Sequence, residues 1–370
     1  MIIGVVKEIK NNENRVGLTP ENASEYVRAG HTVYIESNAG FGVNFKDFDY
    51  ETMGCHILKT AKEVYNVAEM IIKVKEPIES EYELLKPNTI LFTYLHLAAN
   101  KPLLDVLLKK NIIGIAYETI EDNRGNLPCL RPMSEIAGQL SIQEGAKYIE
   151  STYGGKGILL GGVPGVERGK VTIIGGGVSG TYAAKVALGL GANVTILDKN
   201  MSRLEYLNDI FGNAITTLYS NNTNIEKCLR NADLVVGSVL LPGSKAPKLI
   251  TEELVKKMKK GSVFVDIAID QGGCSETSVA TTHDNPIYIK HGVVHYCVAN
   301  MPGSVPYTST IALTNVTLPY GLMIANNGVK KALELTKGLV PGVNTYLGYC
   351  TNKNLAGSLG IEYTDLNELL

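Results

Sequence analysis

The sequence predicts an α/β protein made of two doubly wound, parallel-sheet domains separated by a cleft. Three observations support this. Short β-rich apolar runs alternate with helical stretches along most of the chain. One strand–helix junction, at Ile174 to Gly180, carries glycines at a fixed spacing. A length of 370 residues is long for one core and comfortable for two.

Taken in order, Ile2 to Val6, Thr32 to Glu36, Met70 to Val74, Thr89 to Tyr94 and Ile112 to Ala116 read as strands. The helix after the first strand has Thr19 as N-cap, Pro20 at its first position and Gly30 beyond its end. Further helices fall near Ala61 to Asn66, Glu79 to Leu85 and Lys101 to Lys109. A long helix from Ser134 to about Tyr153 then leads into the glycine-rich segment Gly154 to Gly169. Beyond it, Ala214 to Leu218, Leu234 to Val236, Ser262 to Asp266 and Val293 to Cys297 read as strands. A long apolar helix runs from Ser309 to about Leu335, followed by a short helical tail. The pattern returns the chain to its first domain, giving a discontinuous domain of residues 1–128 and 306–370 and an inserted one of residues 129–305.

The stretch KVTIIGGGVSGTYAAKVALGLGANVTILD, Lys170 to Asp198, contains a complete dinucleotide-binding βαβ unit. After the strand Val171 to Ile174, Gly175 permits the tight turn, Gly177 lets the backbone approach a pyrophosphate and Gly180 lets the helix lie close on the sheet. Ala183, Ala184 and Ala187 continue the small face. Phosphates sit on N–H groups at a helix start of this kind, which begins at Val178. The second strand ends at Asp198, whose carboxylate can accept ribose hydroxyls and repels a 2′-phosphate, so the sequence predicts NAD rather than NADP. Glycine spacing alone recurs by chance in a chain with 38 glycines. The strand, helix, second strand and terminal acid around it are what make the motif specific.

Composition limits the partners. A net charge of −2, with no basic runs interleaved with aromatics, gives no electrostatic footprint for nucleic acid or a membrane surface, and the expected partner is a small molecule. Six scattered cysteines without a C-x-x-C pair read as reduced structural thiols. His31, His56, His283, His291 and His295 make no metal-ligand spacing, so no metal site is predicted. The amino terminus enters a strand pattern directly, and no apolar run reaches membrane-spanning length, so the expectation is a cytoplasmic enzyme.

Parallel sheets bind ligands at the carboxyl ends of their strands, and the polar residues there are few. Arg15 lies in the loop after the first strand, Lys75 ends EMIIKVK, His96 ends TILFTYLH and Glu118 ends IIGIAYE. In the second domain VFVDIAIDQGG delivers Asp270 and VVHYCVANMPG delivers Asn300. Each has a plainer reading: a solvated loop charge for Arg15, a snorkelling end cap for Lys75, a backbone-bonded ring for His96, an ordinary acidic loop for Glu118 and an Asx-turn for Asp270. Together they fit a small anion with a carboxylate and a reacting α-carbon. Arg15 would grip the carboxylate by a two-pronged contact, Lys75 would act as a point charge, and His96 would shuttle a proton while a hydride passes to nicotinamide.

With GVVKEIKNNENRVGLTP, KVKEP, FTYLHLAA, RPMSEIAG, LLGGVPGV, VDIAIDQGGC and HYCVANMPG in view, the chain resembles the alanine dehydrogenase family from end to end. The resemblance implies reversible, NAD-dependent oxidative deamination of L-alanine to pyruvate and ammonia by a two-domain subunit of a homohexamer. It makes Arg15 and Lys75 substrate ligands, His96 the proton donor and acceptor, and Asp270 the second catalytic group. It also implies cofactor contacts at Ser134, Val178, Asp198, Arg203, Ser220, Val239, Leu240, the turn Ile267, Ala268, Ile269 and Asp270, and the turn Val298, Ala299, Asn300 and Met301. Two positions depart from the family pattern. Val279 and Ala280 stand where a basic residue commonly helps hold the cofactor, and Tyr307 stands where an arginine is usual. Two other readings stay open: a relative of the NAD-binding subunit of proton-translocating transhydrogenase, and a non-catalytic NAD-binding regulator.

Overall fold

A computed structural model describes residues 1–239 and 246–370. Among the described residues the strands are β1 (Ile2–Val5), β2 (Thr32–Glu36), β3 (His56–Leu58), β4 (Met70–Ile72), β5 (Ile90–Thr93), β6 (Ile113–Ala116), β7 (Lys170–Ile174), β8 (Asn193–Asp198), β9 (Ile215–Tyr219), β10 (Leu234–Gly237), β11 (Val263–Asp266), β12 (Ile287–Lys290), β13 (Val293–Tyr296), β14 (Val343–Tyr346) and β15 (Tyr349–Cys350). They form two sheets in two compact units, one of Met1–Met133 with Val305–Leu370 and one of Ser134–Ser304.

In the first unit the strand order is β15-β14-β6-β5-β4-β1-β2-β3. From β3 to β6 every pairing is parallel, and β4, β5 and β6 are buried along their whole length. Such strands need apolar side chains on both faces, hence the continuous runs MII, ILFT and IGIA. The chain winds outward from β1 to β3, then returns to add β4, β5 and β6 on the other side. A switch point therefore lies between β1 and β4, where a crevice opens beyond the strand ends. The helix Pro20–Arg28 starts as its sequence dictates. Thr19 accepts from the Asn22 N–H and Pro20 opens the first turn. One core of this unit joins Val64, Ile71, Leu91, Leu95, Leu103, Leu104 and Leu107.

The second unit has the order β12-β13-β11-β10-β7-β8-β9, parallel except at its β12 edge. Its switch point lies between β7 and β10, so the glycine-rich turn after β7 opens at the crevice. Ile174, Leu197, Leu229, Val235, Phe264 and Val293 belong to a core under this sheet.

Several elements differ from the sequence reading. The short edge strands β3, β12 and β15 lack the apolar run of a buried strand, because edge strands are half solvated, and β14, buried between β6 and β15, carries Asn344 and Thr345 in place of such a run. The short helical tail after the long helix is present as helices Lys353–Leu359 and Leu366–Leu369, but a 3₁₀ turn and the β14–β15 hairpin precede it. The long helix Pro306–Leu335 is interrupted at Gly328, at φ 72° and ψ 165°. The cut between the units falls at 133/134 rather than 128/129. Tyr94 donates to the Cys129 carbonyl at 2.7 Å and Arg15 Nη1 meets Met133 Sδ at 3.2 Å, which ties residues 129–133 to the first unit. The second junction falls at 304/305 rather than 305/306. Among the described residues no helix is long and apolar enough to cross a membrane.

Candidate functional site

The first unit gathers its charged residues beyond β1, β4, β5 and β6. Arg15 is not a solvated loop charge, since its side chain is 1% exposed. Glu13 takes the fork, accepting from Nε at 2.7 Å and from Nη2 at 2.5 Å. Burial by itself would lower the guanidinium pKa, but the Glu13 contacts outweigh it and raise it, so Arg15 stays charged. The two-pronged grip expected from the sequence is therefore already used internally by Glu13, while Nη1 lies on Met133 Sδ. Lys75 is half-buried, with its N–H donating to Glu8 Oε1 at 3.3 Å.

Glu8 is the anchor of that strand end. Its Oε1 also accepts from the Val74 N–H at 2.7 Å, and its Oε2 lies 3.4 Å from the fully buried Lys73 ammonium. Lys73 in turn donates to Glu81 at 2.9 Å, and Tyr65 donates to the same Glu81 oxygen at 3.0 Å. Burial raises the Glu8 carboxyl above the usual carboxylate range in spite of Lys73. Lys73, the apolar strand's own lysine, is thus a structural charge, while Lys75 two residues on lies at the rim.

His96 sits three residues past the end of β5 in the left-handed conformation, at φ 48° and ψ 35°. A non-glycine residue there needs to be held. Glu118, read from the sequence as an acidic loop residue, accepts from the His96 N–H at 2.7 Å and the Leu95 N–H at 3.1 Å. The His96 ring stacks on Tyr94 with centroids 5.7 Å apart, and its Nδ1 lies 3.1 Å from Glu76 Oε2. Lys10 bonds the other Glu76 oxygen. The ring is 41% exposed, so it stands at the rim of the unit rather than in its core.

The second unit builds its site around the turn after β7. Gly175 adopts φ +104°, and a Cβ there would lie 2.7 Å from the Ser238 carbonyl oxygen. A Cβ on Gly180 would lie 1.9 Å from the Gly175 carbonyl oxygen, whereas one on Gly177 would meet no atom within 4 Å. Two glycines are thus required by packing, and the third borders open space. The helix Val178–Gly189 has no side-chain cap, so its first N–H groups are suited to an anion. This geometry fits the pyrophosphate of a dinucleotide.

Asp198 accepts from the Gly176 N–H at 2.7 Å and the Asn200 N–H at 2.8 Å, which joins the end of β8 to the glycine turn. Arg203 folds over that turn, donating to the Gly176 carbonyl at 2.5 Å and to Thr181 Oγ1 at 2.6 Å. Ser220 is buried, its N–H on the Asp198 carbonyl at 2.9 Å. Val239 follows β10 just beyond Ser238, which donates to the Gly175 carbonyl at 2.8 Å. Leu240 lies outside the described residues. Ser134 is half-buried in the first turn of the helix Arg131–Tyr148.

After β11 the chain makes the turn Ile267–Gln271, with Ala268 and Ile269 packed inward. Asp266 pins it, accepting from the Ala268 N–H at 3.0 Å, the Cys274 N–H at 2.9 Å and the Ser278 hydroxyl at 2.5 Å. Asp270 is exposed and accepts from the Asn300 N–H at 3.2 Å. That bond spans two strand ends, so it is not an Asx-turn, and it links the turn Ile267–Gln271 to the turn Val298, Ala299, Asn300 and Met301. Val298 and Met301 are buried there, and Asn300 is left-handed at φ 57°. Val279 is 64% exposed, as bland in the structure as in the sequence. Tyr307 places its ring 6.0 Å from Phe45 in the first unit.

Sequence reasoning missed Glu8, Glu13 and Glu76 and undervalued Glu118. The signal for Glu13 was adjacency. Glu13 is two residues from Arg15 and is its partner, whereas Glu76, next to Lys75 in the chain, bonds Lys10 and His96. Among the described residues no cluster of His, Cys, Asp and Glu could hold a metal.

A glycine-rich turn at one switch point and rim cations with a histidine at another define the class of dinucleotide-dependent dehydrogenases on a two-unit α/β plan. Residues 4–137 match the sequence model of the alanine dehydrogenase/PNT N-terminal domain, and residues 141–353 match that of its C-terminal domain. An alanine dehydrogenase of Methanococcus maripaludis is 58% identical over 371 aligned residues covering 100% of both chains. Alanine dehydrogenase 2 of Staphylococcus aureus is 56% identical at the same coverage. Among solved structures, an L-alanine dehydrogenase matches with a TM-score of 0.94 and 50% identity, over 97% of this chain and 99% of that one. A transhydrogenase from Sinorhizobium meliloti shares the fold, with a TM-score of 0.80 and 22% identity over 95% of this chain and 99% of that one. The chain belongs to the alanine dehydrogenase/PNT family, and it is an NAD-dependent oxidoreductase.

Proposed function

We propose that the protein catalyses the reversible oxidative deamination of L-alanine to pyruvate and ammonia. The observation that carries this reading is the set Arg15, Lys75 and His96 on one sheet edge of the first unit, with a buried arginine and a half-buried lysine to select a small carboxylate and a ring at the rim to move protons. The full-length similarity to alanine dehydrogenases supports the substrate.

Arg15 binds the carboxylate, Glu13 having fixed the guanidinium plane, and Lys75 adds a point charge. The unit of Met1–Met133 with Val305–Leu370 supplies the substrate domain, and the unit Ser134–Ser304 supplies the NAD domain. In the latter, Gly175, Gly177, Val178 and Gly180 hold the pyrophosphate and Asp198 the ribose, and Ser134, Arg203, Ser220, Val239 and the two turns from Ile267 and Val298 complete the cradle. NAD, when bound there, supplies the acceptor for the hydride that leaves the α-carbon.

His96 takes the proton that the substrate ammonium must shed and releases it to solvent, so that the neutral ring can remove one from the water that adds to the resulting iminium and return it to the nitrogen as ammonia leaves. Asp270, exposed and tethered to the Asn300 N–H, supports the positive charge that develops on the substrate nitrogen. We also propose a cytoplasmic homo-oligomer, a hexamer as in the family. In the helix Pro306–Leu335 the apolar residues Ile311, Leu318, Leu322 and Met323 stay only half-buried within the subunit, as an interface would require. The test is nicotinamide absorbance across a panel of small amino and hydroxy acids. Reduction of NAD with L-alanine is expected, and none with L-alanine would refute the reading.

A further inference from the structure

We infer that Glu76 is the positioning residue of His96, fixing the ring so that Nδ1 carries the hydrogen turned to the carboxylate and Nε2 is the nitrogen presented for proton transfer. The inference rests on the proton-shuttle reading of His96.

Three contacts hold this ring, and only one of them acts on a ring nitrogen. Glu118 acts on the backbone, holding His96 in its left-handed conformation through the N–H groups of residues 95 and 96. Tyr94 supports the ring face, with the planes at 27°. Among the described residues, Glu76 Oε2 is the group that reaches a ring nitrogen, Nδ1, at 3.1 Å. An ionised carboxylate only accepts, so that nitrogen must donate, and a neutral imidazole then has its lone pair on Nε2.

Glu76 is built for the task. Its side chain is 9% exposed, against 41% for the ring, so the carboxylate is the fixed member of the pair. Lys10 bonds its second oxygen, and Lys75 lies next to it in the chain. Burial would raise this carboxyl, but the His96 hydrogen bond, the His96 charge and the Lys10 contact outweigh burial and hold it well below the usual carboxylate range. Glu76 therefore stays an acceptor throughout the working pH range. Around the pair, Lys10 bonds Glu76 and Lys75 acts on it through its charge, Glu118 accepts from the His96 N–H, and the His96 ring stacks on Tyr94, on which Arg15 acts through its charge. An arrangement of base and orienting carboxylate fixes both tautomer and direction.

The test uses the full-length protein with Glu76→Gln and Glu76→Asp. The pH dependence of kcat/KM for alanine is measured together with the pH dependence of His96 carbethoxylation, read by peptide mass spectrometry, and NADH binding is measured by fluorescence as the check on folding. Losing an ionised partner within about 4 Å of a half-exposed ring makes the protonated imidazole less favoured. Glu76→Gln is therefore expected to raise His96 reactivity at acidic pH and to extend the acidic limb of kcat/KM in the same direction. It should also lower the plateau kcat about tenfold, with Glu76→Asp recovering part of both effects. Unchanged His96 reactivity in a Glu76→Gln protein that still binds NADH overturns the positioning role. Shifted His96 reactivity with an unshifted rate profile overturns the proton-shuttle reading instead, and the catalytic role of Glu76 with it.

Discussion

Replacing Gly180 and Gly177 by alanine, one at a time, should separate two demands that the glycine motif combines. A Cβ on Gly180 would stand 1.9 Å from the Gly175 carbonyl oxygen and 3.1 Å from Ser238 Oγ. Carbon next to a carbonyl oxygen settles at about 3.3 Å, so the helix Val178–Gly189 must retreat by about 1.4 Å from the end of β7. The clashing atom is backbone and cannot rotate away. Overpacking of this kind costs about 1–3 kcal/mol, which for a unit of this size lowers Tm by about 2–12 °C, and the displaced helix start also loses NADH affinity. A Cβ on Gly177 meets nothing within 4 Å, and φ −65° there suits any residue. Gly177→Ala should therefore melt within about 2 °C of the unchanged protein, the difference between glycine and alanine at an N-cap being small. Its NADH affinity should still fall at least about tenfold, because the new methyl fills the space a pyrophosphate needs. Differential scanning calorimetry and NADH fluorescence titration measure the two effects. The reasoning fails if Gly180→Ala keeps its melting temperature, or if Gly177→Ala binds NADH as before.

His96→Ala should lose at least about a hundredfold in turnover while NADH binding persists, as single-turnover rates and fluorescence titration would show. Arg15→Ala should raise the apparent KM for alanine and also destabilise the fold by about 3 kcal/mol, because it leaves buried Glu13 without its cation, a loss visible in urea unfolding. Asp198→Ala should reduce the preference for NAD over NADP in kcat/KM, and should weaken NAD as well, since the carboxylate also braces the Gly176 N–H. Asp233 is held below the usual carboxylate range, burial raising it but the Lys170 N–H, Lys156 and Lys259 together outweighing that. Its folded value being depressed, its stabilisation is present above about pH 4 and fades as pH falls through the lower folded value. Asp233→Asn should therefore cost about 1 kcal/mol in urea unfolding at pH 7, the half-solvated lysines limiting the gain, and clearly less at pH 3.

The sequence by itself determined whatever depends on neighbours along the chain. Buried parallel strands announced themselves as unbroken apolar runs such as ILFT and VFVD, because both faces of such a strand must be apolar. The glycine turn was legible because the turn, the helix start and the close packing all fall within six residues, and Thr19 with Pro20 marked a helix start for the same reason. The strand-end rule also brought Arg15, Lys75 and His96 into view as a group. Tertiary structure alone decided how each of those charges is held. Glu13 claims the arginine fork, Glu8 anchors the backbone of Lys75, Glu118 fixes the strained backbone of His96 and Glu76 meets its ring. Three of those partnerships join separate strand ends, so their distances follow from the order of strands in the sheet and not from spacing in the chain. The antiparallel edge strands β12 and β15 were hidden for a related reason. An edge strand is half solvated and carries little apolar signal, and what makes it a strand is the hydrogen-bonding row its neighbour leaves open.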